Sequence, residues 1–597
     1  MSSENRNSLI AIVIFMVLFG AYEYFLVYPA TKKAEAQRRA QAVAEQTQAP
    51  TTVGPATFLP RAQALAQSPR VAIDTPTLKG SIALTGARLD DLFLTRYPVS
   101  LDKGAPPVEL LRPAGMEHAY FVMLGWQGQN LPGMPGPDSL WTQTGGQTLS
   151  PGHPVALRYA SPQGLTFDRT IAVDDKYMFT ITDKVTNGGA AAVSLIPNGV
   201  VQRNDIPADL GKNNIVHEGG IGVLGGTLKE DKYSQWKKDA DKRLDPDTGW
   251  MGVTDKYWMA VMIPPGTETI SPEFKVEAAG ALNIYAASYT ARPVAIGPGQ
   301  AVSVTNRIFA GPKARQLLNS YANVPKFQDA IDWGHLYPLT KAIHWLLEFF
   351  YGYVHNYGVA ILMLTVVIRL STFPLANRGY EMGIKMRKLA PLQKELQERY
   401  KDDPQTYQRE YMALLQREKL NPVTGCLPQL LVIPVFYSLT KVFTVAIDLR
   451  QAPFFGWIHD LAAPDPSTIF NLFGIIPWDV FHTPWVQAAM ALPVLGGIFS
   501  MVLHLGVWPI AYGLSMWISQ AMTPQTGIDP TQQLMFKLMP VVFTFILSQY
   551  AVGLLIYWSW SSVITVIQSY VLMRRYKVDN PIDDFIARIT GKPAPAG

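Results

Sequence analysis

The sequence has a single cysteine, Cys426, among 597 residues. One thiol cannot form a disulfide within the chain, and it cannot build a cysteine-based zinc cage. Disulfide-stapled secreted domains and cysteine zinc modules are therefore excluded. We interpret Cys426 as a small packing residue at the start of a helix.

Motifs of nucleotide, metalloprotease and nucleic-acid chemistry are also missing. There is no Gly-rich phosphate loop, and Ile221 stands where a motif beginning at His217-Glu218 would need its second histidine. The 51 Lys and Arg residues exceed the 46 Asp and Glu residues by a formal charge of only +5. No basic stripe is interleaved with aromatic residues. We expect no catalytic residue, no metal, no cofactor and no nucleic-acid recognition.

What the chain does have is long apolar runs within a mixed composition. Hydrophobic residues make up 48% of the sequence, which is typical of a soluble part and a membrane part averaged together. About 20 apolar residues are needed to cross a bilayer as a helix. Six spans are predicted: an uncleaved anchor at 1–30, then 356–377, 425–447, 505–523, 534–549 and 552–573. The loop at 448–504 contains a shorter apolar run, 492–503, that we expect to be interfacial or re-entrant.

Between the first two predicted spans, the composition of the sequence and its pattern of apolar and polar residues change. A polar Ala/Gln/Thr/Pro stretch, 31–70, predicts a flexible linker. Over 71–326, short segments such as LTFDRTIAV and LNIYAASYT alternate apolar and polar residues between turn residues. This pattern predicts one large antiparallel β-sandwich domain. A binding or spacer role is favoured over an enzymatic one.

The segment 327–355 mixes aromatic and charged residues, including Trp333 and Trp345. It predicts an amphipathic helix lying flat at the bilayer surface, which Pro338 should break or kink. The alternative is a helix packed on the soluble domain.

A charged segment, 378–424, follows the second span. Its apolar residues recur every three to four positions in two sets, with Asp403 as an N-cap and Pro404 at the first helical position of the second set. The segment predicts a cytoplasmic helical hairpin. Cations there and at the start of the tail, 574–597, predict that both termini are cytoplasmic and, from the number of spans, that the β domain lies on the outer side of the membrane.

The second span carries Arg369 just past its middle. An arginine at that depth costs about 2.5–3.5 kcal/mol, which a passive anchor does not require. Thr365 and Thr372 lie about one turn before and after it, on the same helical face. A wet intramembrane pocket lined by a fixed positive charge is one interpretation. The alternative is an arginine that snorkels to the cytoplasmic interface.

The last span has a polar face that matches the face around Arg369. Its members recur at helical spacing: Trp558, Ser562, Thr565 and Ser569. We predict that Arg369, Thr365, Thr372, Ser562 and Thr565 line one hydrophilic pocket within the membrane.

The order of segments, with the arginine-bearing span, the charged hairpin and the run NPVTGCLPQLLVIPVFYSL, resembles the Oxa/Alb/YidC family of membrane protein insertases. The resemblance covers the whole chain and is most specific from Arg369 to Phe436. It implies a β-supersandwich for the periplasmic domain. It also implies a five-helix core around a hydrophilic groove that is open to the cytoplasm and lipid and closed to the periplasm.

The resemblance implies roles for individual residues. Arg369 matches the groove arginine of the family, and Thr365 falls on a groove position. A slide for client helices is implied at Leu427, Pro428, Ile433, Phe436, Val541, Ile546, Leu547, Tyr557 and Trp558. The chain departs from the family at Tyr550-Ala551-Val552-Gly553, where a proline usually precedes the small residue and glycine.

The implied function is nucleotide-independent insertion and folding of newly made inner-membrane proteins. The implied partners are nascent membrane proteins, the Sec translocon with its accessory subunits, the translating ribosome with the signal-recognition pathway, and the lipid bilayer. One alternative is an ion-coupled transporter, which usually needs intramembrane acids; the five later spans contain no Asp or Glu. The other is a membrane-tethered carbohydrate-binding or carbohydrate-acting protein that uses the β domain.

Overall fold

The structure is a computed structural model that describes residues 58–128, 131–206, 210, 216–236, 241–279, 282–401, 403–418, 422–476, 478, 480–481, 483–492, 495–522, 530–578 and 580–590. The predicted anchor 1–30 and most of the linker 31–70 lie outside these residues. The chain divides into two compact units. The β unit comprises Val53–His335 with Thr444–Asp448, and the helical unit comprises Leu336–Phe443 with Leu449–Gly597.

The β unit has twenty described strands. They are β1 (Arg70–Asp74), β2 (Leu78–Ala83), β3 (Arg88–Pro98), β4 (Pro107–Leu111), β5 (Tyr120–Gly128), β6 (Thr142–Gly145), β7 (Thr148–Leu149), β8 (Val155–Ala160), β9 (Leu165–Val173), β10 (Met178–Asn187), β11 (Val193–Asn204), β12 (Gly219–Leu224), β13 (Thr227–Lys232), β14 (Asp241–Arg243), β15 (Gly249–Thr254), β16 (Trp258–Ile263), β17 (Ser271–Ala279), β18 (Leu282–Thr290), β19 (Val294–Ile296) and β20 (Ala301–Pro312). The alternating segments quoted above fall on strands, which confirms the β-rich domain.

The strands form two sheets over one core. One sheet has eleven strands, with β14-β17-β18-β11-β5-β3-β2-β1-β7 as its main path, and the other has nine, in the order β13-β12-β15-β16-β20-β10-β9-β8-β6. Side chains from both sheets meet in a single apolar cluster that includes Val122 and Phe179. Alternate residues of β9 are buried, as period-two patterning requires for a strand with one face on the core.

Two buried arginines tie this core together. The guanidinium of Arg203, on β11, makes a bidentate pair with Asp255, which follows β15 of the other sheet, at 2.6 and 2.7 Å. Arg169 pairs with Asp183 at 2.7 and 2.8 Å within the nine-stranded sheet. Trp126 of the opposite sheet donates its indole N–H to Asp183 at 2.9 Å. The two sheets are therefore joined by charged contacts as well as by apolar packing.

Both ends of the β unit extend beyond the predicted 71–326. Within the predicted linker, helix α1 (Arg61–Ala66) is held by ion pairs from Arg61 to Asp91 and Glu109. Two further short helices occur in this unit, α2 (Tyr233–Trp236) and α3 (Arg315–Ser320). A 3-10 turn covers Phe327–Ala330 near the end of the unit. Phe327 and Trp333 are buried in the β core. The first part of 327–355 therefore belongs to this core and not to the amphipathic helix.

The helical unit begins with the amphipathic helix itself, α4 (Tyr337–Val354). Pro338 does not break or kink it, because the proline lies in the first helical turn, where its missing N–H has no intrahelical partner to lose. The other helices are α5 (Tyr357–Arg399), α6 (Pro404–Arg417), α7 (Pro422–Val445), α8 (Pro484–Met490), α9 (Leu495–Leu503), α10 (Val507–Met522), α11 (Pro530–Leu547), α12 (Val552–Arg575) and α13 (Pro581–Thr590). Short 3-10 turns occur at Ile447–Leu449 and Ile469–Gly474.

Helix α5 runs for 43 residues through the predicted boundary at 377/378. At 1.5 Å per residue it is about 65 Å long, so the second span and the first arm of the charged segment are one helix. The second arm, α6, begins as predicted: Asp403 accepts a hydrogen bond from the Thr406 N–H at 3.1 Å, and Pro404 occupies the first turn.

Two stretches of the described helices are long and apolar enough to cross a membrane, Tyr357–Gly383 of α5 and Val552–Arg575 of α12. A third candidate is the pair α9 and α10, which meet at a bend of 86°. Ser467 and Asp465 cap α10 by accepting hydrogen bonds from the N–H groups of Val507 (2.9 Å) and Trp508 (2.8 Å). The described apolar windows of α7 and α11 are shorter, Val432–Val445 and Phe536–Leu547.

Candidate functional site

Arg369 lies on the membrane-length part of α5 and points toward α12. Its Nε donates a hydrogen bond to the Ser561 hydroxyl at 2.8 Å. The side chain is half-buried, and no carboxylate in the described part of the chain forms an ion pair with it. The guanidinium is thus held at one nitrogen and retains donors for another group.

Sequence reasoning missed Ser561 and selected its neighbour Ser562. Ser561 is buried, whereas Ser562 is half-exposed. One residue rotates the position by about 100° around a helix, so the two serines cannot face α5 equally. The four-residue spacing of Tyr557, Ser561 and Thr565 along one helical face could have identified Ser561 from the sequence. Tyr557 interacts with the Ser561 side chain and with the charge of Arg369, and the Thr565 hydroxyl donates to the Ser561 carbonyl at 2.9 Å.

The two threonines predicted beside Arg369 satisfy their hydroxyls on their own helix. Thr365 is fully buried and donates to the Ile361 carbonyl at 2.7 Å. Thr372 is half-buried and donates to the Ile368 carbonyl at 3.0 Å. Such bonds satisfy a hydroxyl without an external partner, so the polar surface around Arg369 is contributed mainly by α12.

A second polar contact joins the same two helices. The Gln568 amide donates to the Asn377 side-chain oxygen at 2.6 Å. Asn377 follows Arg369 by eight residues, and Gln568 follows Ser561 by seven, so the two contacts lie about two turns apart on both helices. Together they define a polar seam between α5 and α12.

The predicted slide residues fall into three groups. Ile433, Phe436, Val541 and Ile546 are exposed, whereas Leu547, Tyr557 and Trp558 are buried. Leu427 and Pro428 lie on α7, but their side chains are outside the described part. The rings of Phe436 and Trp558 stack with centroids 5.0 Å apart and an interplanar angle of 5°. This stack joins α7 to α12 close to the Arg369 contact, because Trp558 precedes Ser561 by less than one turn.

Comparisons with known proteins cover both units. The family model for the YidC periplasmic domain matches residues 70–346, and that for the 60Kd inner membrane protein matches residues 349–580. A relative from Caulobacter vibrioides (strain NA1000 / CB15N), named membrane protein insertase YidC, is 48% identical over 627 residues and covers 100% of both chains. This chain belongs to the YidC family.

A second YidC relative, from Mesorhizobium japonicum, is 39% identical over 625 residues, covering 99% of this chain and all of the relative. A crystal structure of an active YidC insertase is 16% identical, covers 84% of this chain and 92% of that one, and has a TM-score of 0.35. The YidC family comprises inner-membrane insertases with a periplasmic domain, and they are not enzymes. Helix α13 begins just after the last residue that the family models match.

Proposed function

We propose that this chain inserts newly made proteins into the bacterial inner membrane, and helps them fold there, through a hydrophilic groove centred on Arg369. The observation that carries the proposal is the state of this arginine. It lies in a membrane-length helix, it is anchored by Ser561, and no carboxylate among the described residues neutralises it. Because a charge within a membrane span is costly without a counter-ion, this arrangement favours a transient acidic partner.

The partner that fits this charge is an acidic residue of a client's translocated segment. Two unit charges 4 Å apart attract by about 1 kcal/mol in water and by about 4 kcal/mol at an effective dielectric constant of 20. In a partly hydrated groove, Arg369 therefore attracts an acidic segment partway across the hydrocarbon core, which is about 30 Å thick. Arg369 acts as a transient electrostatic partner and carries no covalent chemistry. No nucleotide is needed.

The exposed apolar residues Ile433, Phe436, Val541 and Ile546 form the slide for the client's own hydrophobic helix. The buried members, Leu547, Tyr557 and Trp558, support that surface from behind. Ser562, Thr365, Thr372 and Thr565 contribute to the groove, and Leu427 and Pro428 extend the slide along α7. A client helix leaves because lipid solvates it better than a partly hydrated groove does.

The protein works in the inner membrane with six spans and both termini in the cytoplasm. Cations of the charged segment and the tail support this orientation. The long arm of α5 and helix α6 serve as a recruiting or gating hairpin, in which the Gln393 amide donates to the Tyr407 hydroxyl at 3.3 Å. The expected partners are nascent membrane proteins delivered by ribosomes through the signal-recognition pathway, and the Sec translocon with its accessory subunits.

The test is client-dependent loss of insertion in the Arg369→Ala variant. Two versions of one short membrane protein are compared, one with acidic residues in its translocated tail and one with those acids replaced by the corresponding amides. We expect Arg369→Ala to impair the acidic version far more than the neutral one. Lys103→Ala, which removes an exposed cation from the β unit, is the control and should affect neither client.

Equal dependence of both clients on Arg369 would contradict the electrostatic role. Full insertion by Arg369→Ala with both clients would contradict the groove itself. Ion-dependent uptake of a small solute by the purified protein in vesicles would instead support a transporter.

A further inference from the structure

The last described helix, α13 (Pro581–Thr590), has an uncovered apolar stripe. Phe585, Ile586 and Ile589 are 63%, 49% and 69% exposed. Their spacing of one and four residues puts them on one side of the helix. Asp584 lies on the other side, and Arg588 flanks the stripe. A ten-residue helix with three large exposed apolar side chains needs a covering surface.

Helix α13 is firmly attached to the end of α12. The carboxylate of Asp583, itself buried, accepts hydrogen bonds from Arg574 at 3.0 Å, from the Tyr570 hydroxyl at 3.1 Å and from the Asn580 amide at 2.6 Å. The Asp583 N–H donates in turn to the Asn580 side-chain oxygen at 2.9 Å. We call this arrangement the Asp583 clamp. It holds the first turn of α13 beside the last turns of α12.

The contacts of the first turn show which side faces the protein. Ile582 packs against a small buried cluster of Met522, Leu572 and Met573, at the ends of α10 and α12. The stripe of Phe585, Ile586 and Ile589 continues from Ile582 but remains open. The protein therefore covers the stripe only in the first turn, and the next three apolar side chains of the same face remain exposed.

The place where α13 is held argues for lipid as the cover. Ile567 and Val571 of α12 are 56% and 57% exposed, so the apolar outer surface of this membrane-length helix continues to the turn that holds Arg574. The clamp therefore fixes α13 beside the end of this exposed apolar surface. Lys577 and Arg575, which are both exposed, add positive charge that anionic headgroups attract.

The geometry points to an interfacial role: α13 lies in the headgroup region of the leaflet where α12 ends, with Phe585, Ile586 and Ile589 inserted among the acyl chains. Amphipathic helices bind membranes in this way through apolar area and attraction to anionic lipid. The Asp583 clamp sets the position of the helix, and the stripe sets its depth. This inference depends on α12 crossing the membrane and not on the insertase proposal.

The test places an environment-sensitive fluorophore on each side of α13 in the full-length protein. Cys426→Ser removes the native thiol, and Phe585→Cys or Ile589→Cys supplies a labelling site on the stripe. Asp584→Cys is the matched control on the opposite side. Each labelled protein is reconstituted into vesicles of phosphatidylethanolamine and phosphatidylglycerol, with and without lipid carrying a nitroxide near the headgroup.

We expect a blue-shifted emission and strong loss of intensity with nitroxide lipid at positions 585 and 589, and neither effect at 584. Equal emission and equal quenching at all three positions would overturn the proposal. A blue shift at 585 without lipid quenching would also overturn it, because a protein surface and not lipid would then cover the stripe.

The clamp is tested in the same vesicles with a second pair of variants. Asp583→Asn should reduce the nitroxide quenching at position 585, because the neutral amide loses the charged contact with Arg574. Asp584→Asn removes an equal charge from the neighbouring position and should leave the quenching unchanged. Unchanged quenching in Asp583→Asn would show that the clamp does not position the helix.

Discussion

Replacing the buried carboxylate that joins the two sheets should destabilise the β unit strongly. In the Arg203–Asp255 pair, the side chains are 5% and 10% exposed, and the guanidinium also lies over the Tyr120 ring at 4.1 Å. Asp255→Asn keeps the shape but leaves the arginine charge buried without a carboxylate. Breaking one partner of such a pair costs about 3–5 kcal/mol.

Hydrogen–deuterium exchange on the full-length protein in lipid nanodiscs measures this loss locally. A decrease of about 3–5 kcal/mol in opening free energy makes protected amides of β11 and β15 exchange roughly 100-fold faster or more. The matched control is the Arg158–Asp168 pair, which has the same 2.6 Å separation but side chains 54% and 33% exposed. Asp168→Asn should leave exchange within error of the parent protein, because solvent screens an exposed pair.

A double variant separates the value of the pair from the penalty of breaking it. Arg203→Leu with Asp255→Leu removes both charges, and it should be more stable than Asp255→Asn alone. The reasoning is refuted if the buried and exposed single variants exchange alike. It is also refuted if the double variant loses as much stability as the two single variants, Arg203→Leu and Asp255→Leu, lose when their effects are added.

Three further predictions concern the other described contacts. Ser561→Ala should lower insertion of an acidic client more than Ser562→Ala does, because the Arg369 guanidinium bonds Ser561 and not Ser562 among the described contacts; equal losses in an in vitro insertion assay would contradict this. Gly513→Ala places a Cβ 2.0 Å from the Thr544 hydroxyl oxygen and should destabilise the α10–α11 packing by about 1–3 kcal/mol; an unchanged thermal midpoint in detergent would argue against close packing there. Burial lowers the pKa of His217 to about 4, so the unfolded chain binds a proton that the folded chain does not, and stability falls as the pH drops below about 6.5. Urea unfolding of the β unit, followed by tryptophan fluorescence, should show a loss of about 2 kcal/mol between pH 7 and pH 5 that is absent in His217→Gln.

The sequence predicted the β unit well because strand signals are local. Period-two alternation in segments such as β9 and β18 requires only neighbouring residues to be read. The ends of the unit were missed for a different reason. Trp333 looked amphipathic in its local context, and only the three-dimensional core shows that it is buried with Phe327.

Helix positions were predicted more reliably than helix boundaries and facing residues. Nothing at 377/378 stops a helix, and Pro374 inside α5 does not interrupt it, so the second span continues into the charged segment. The choice of Ser562 instead of Ser561 has a similar origin. A helical face is broad and neighbouring positions differ by about 100°, so only the contact with α5 shows that Ser561 is the residue bonded to Arg369. The clamp at Asp583 needed tertiary structure, because its four residues come from two helices and their connection.

The groove account is tested most directly by photocrosslinking in cells from position 433 while a stalled ribosome presents a short membrane protein. Ile433 is 60% exposed on α7, and position 567 on the side of α12 opposite Trp558 is the control. The account predicts a crosslink to the client at 433 during synthesis, which disappears after release, and none at 567. A client that crosslinks equally at both positions, or at neither while other sites on the protein label cleanly, would contradict a path along the groove.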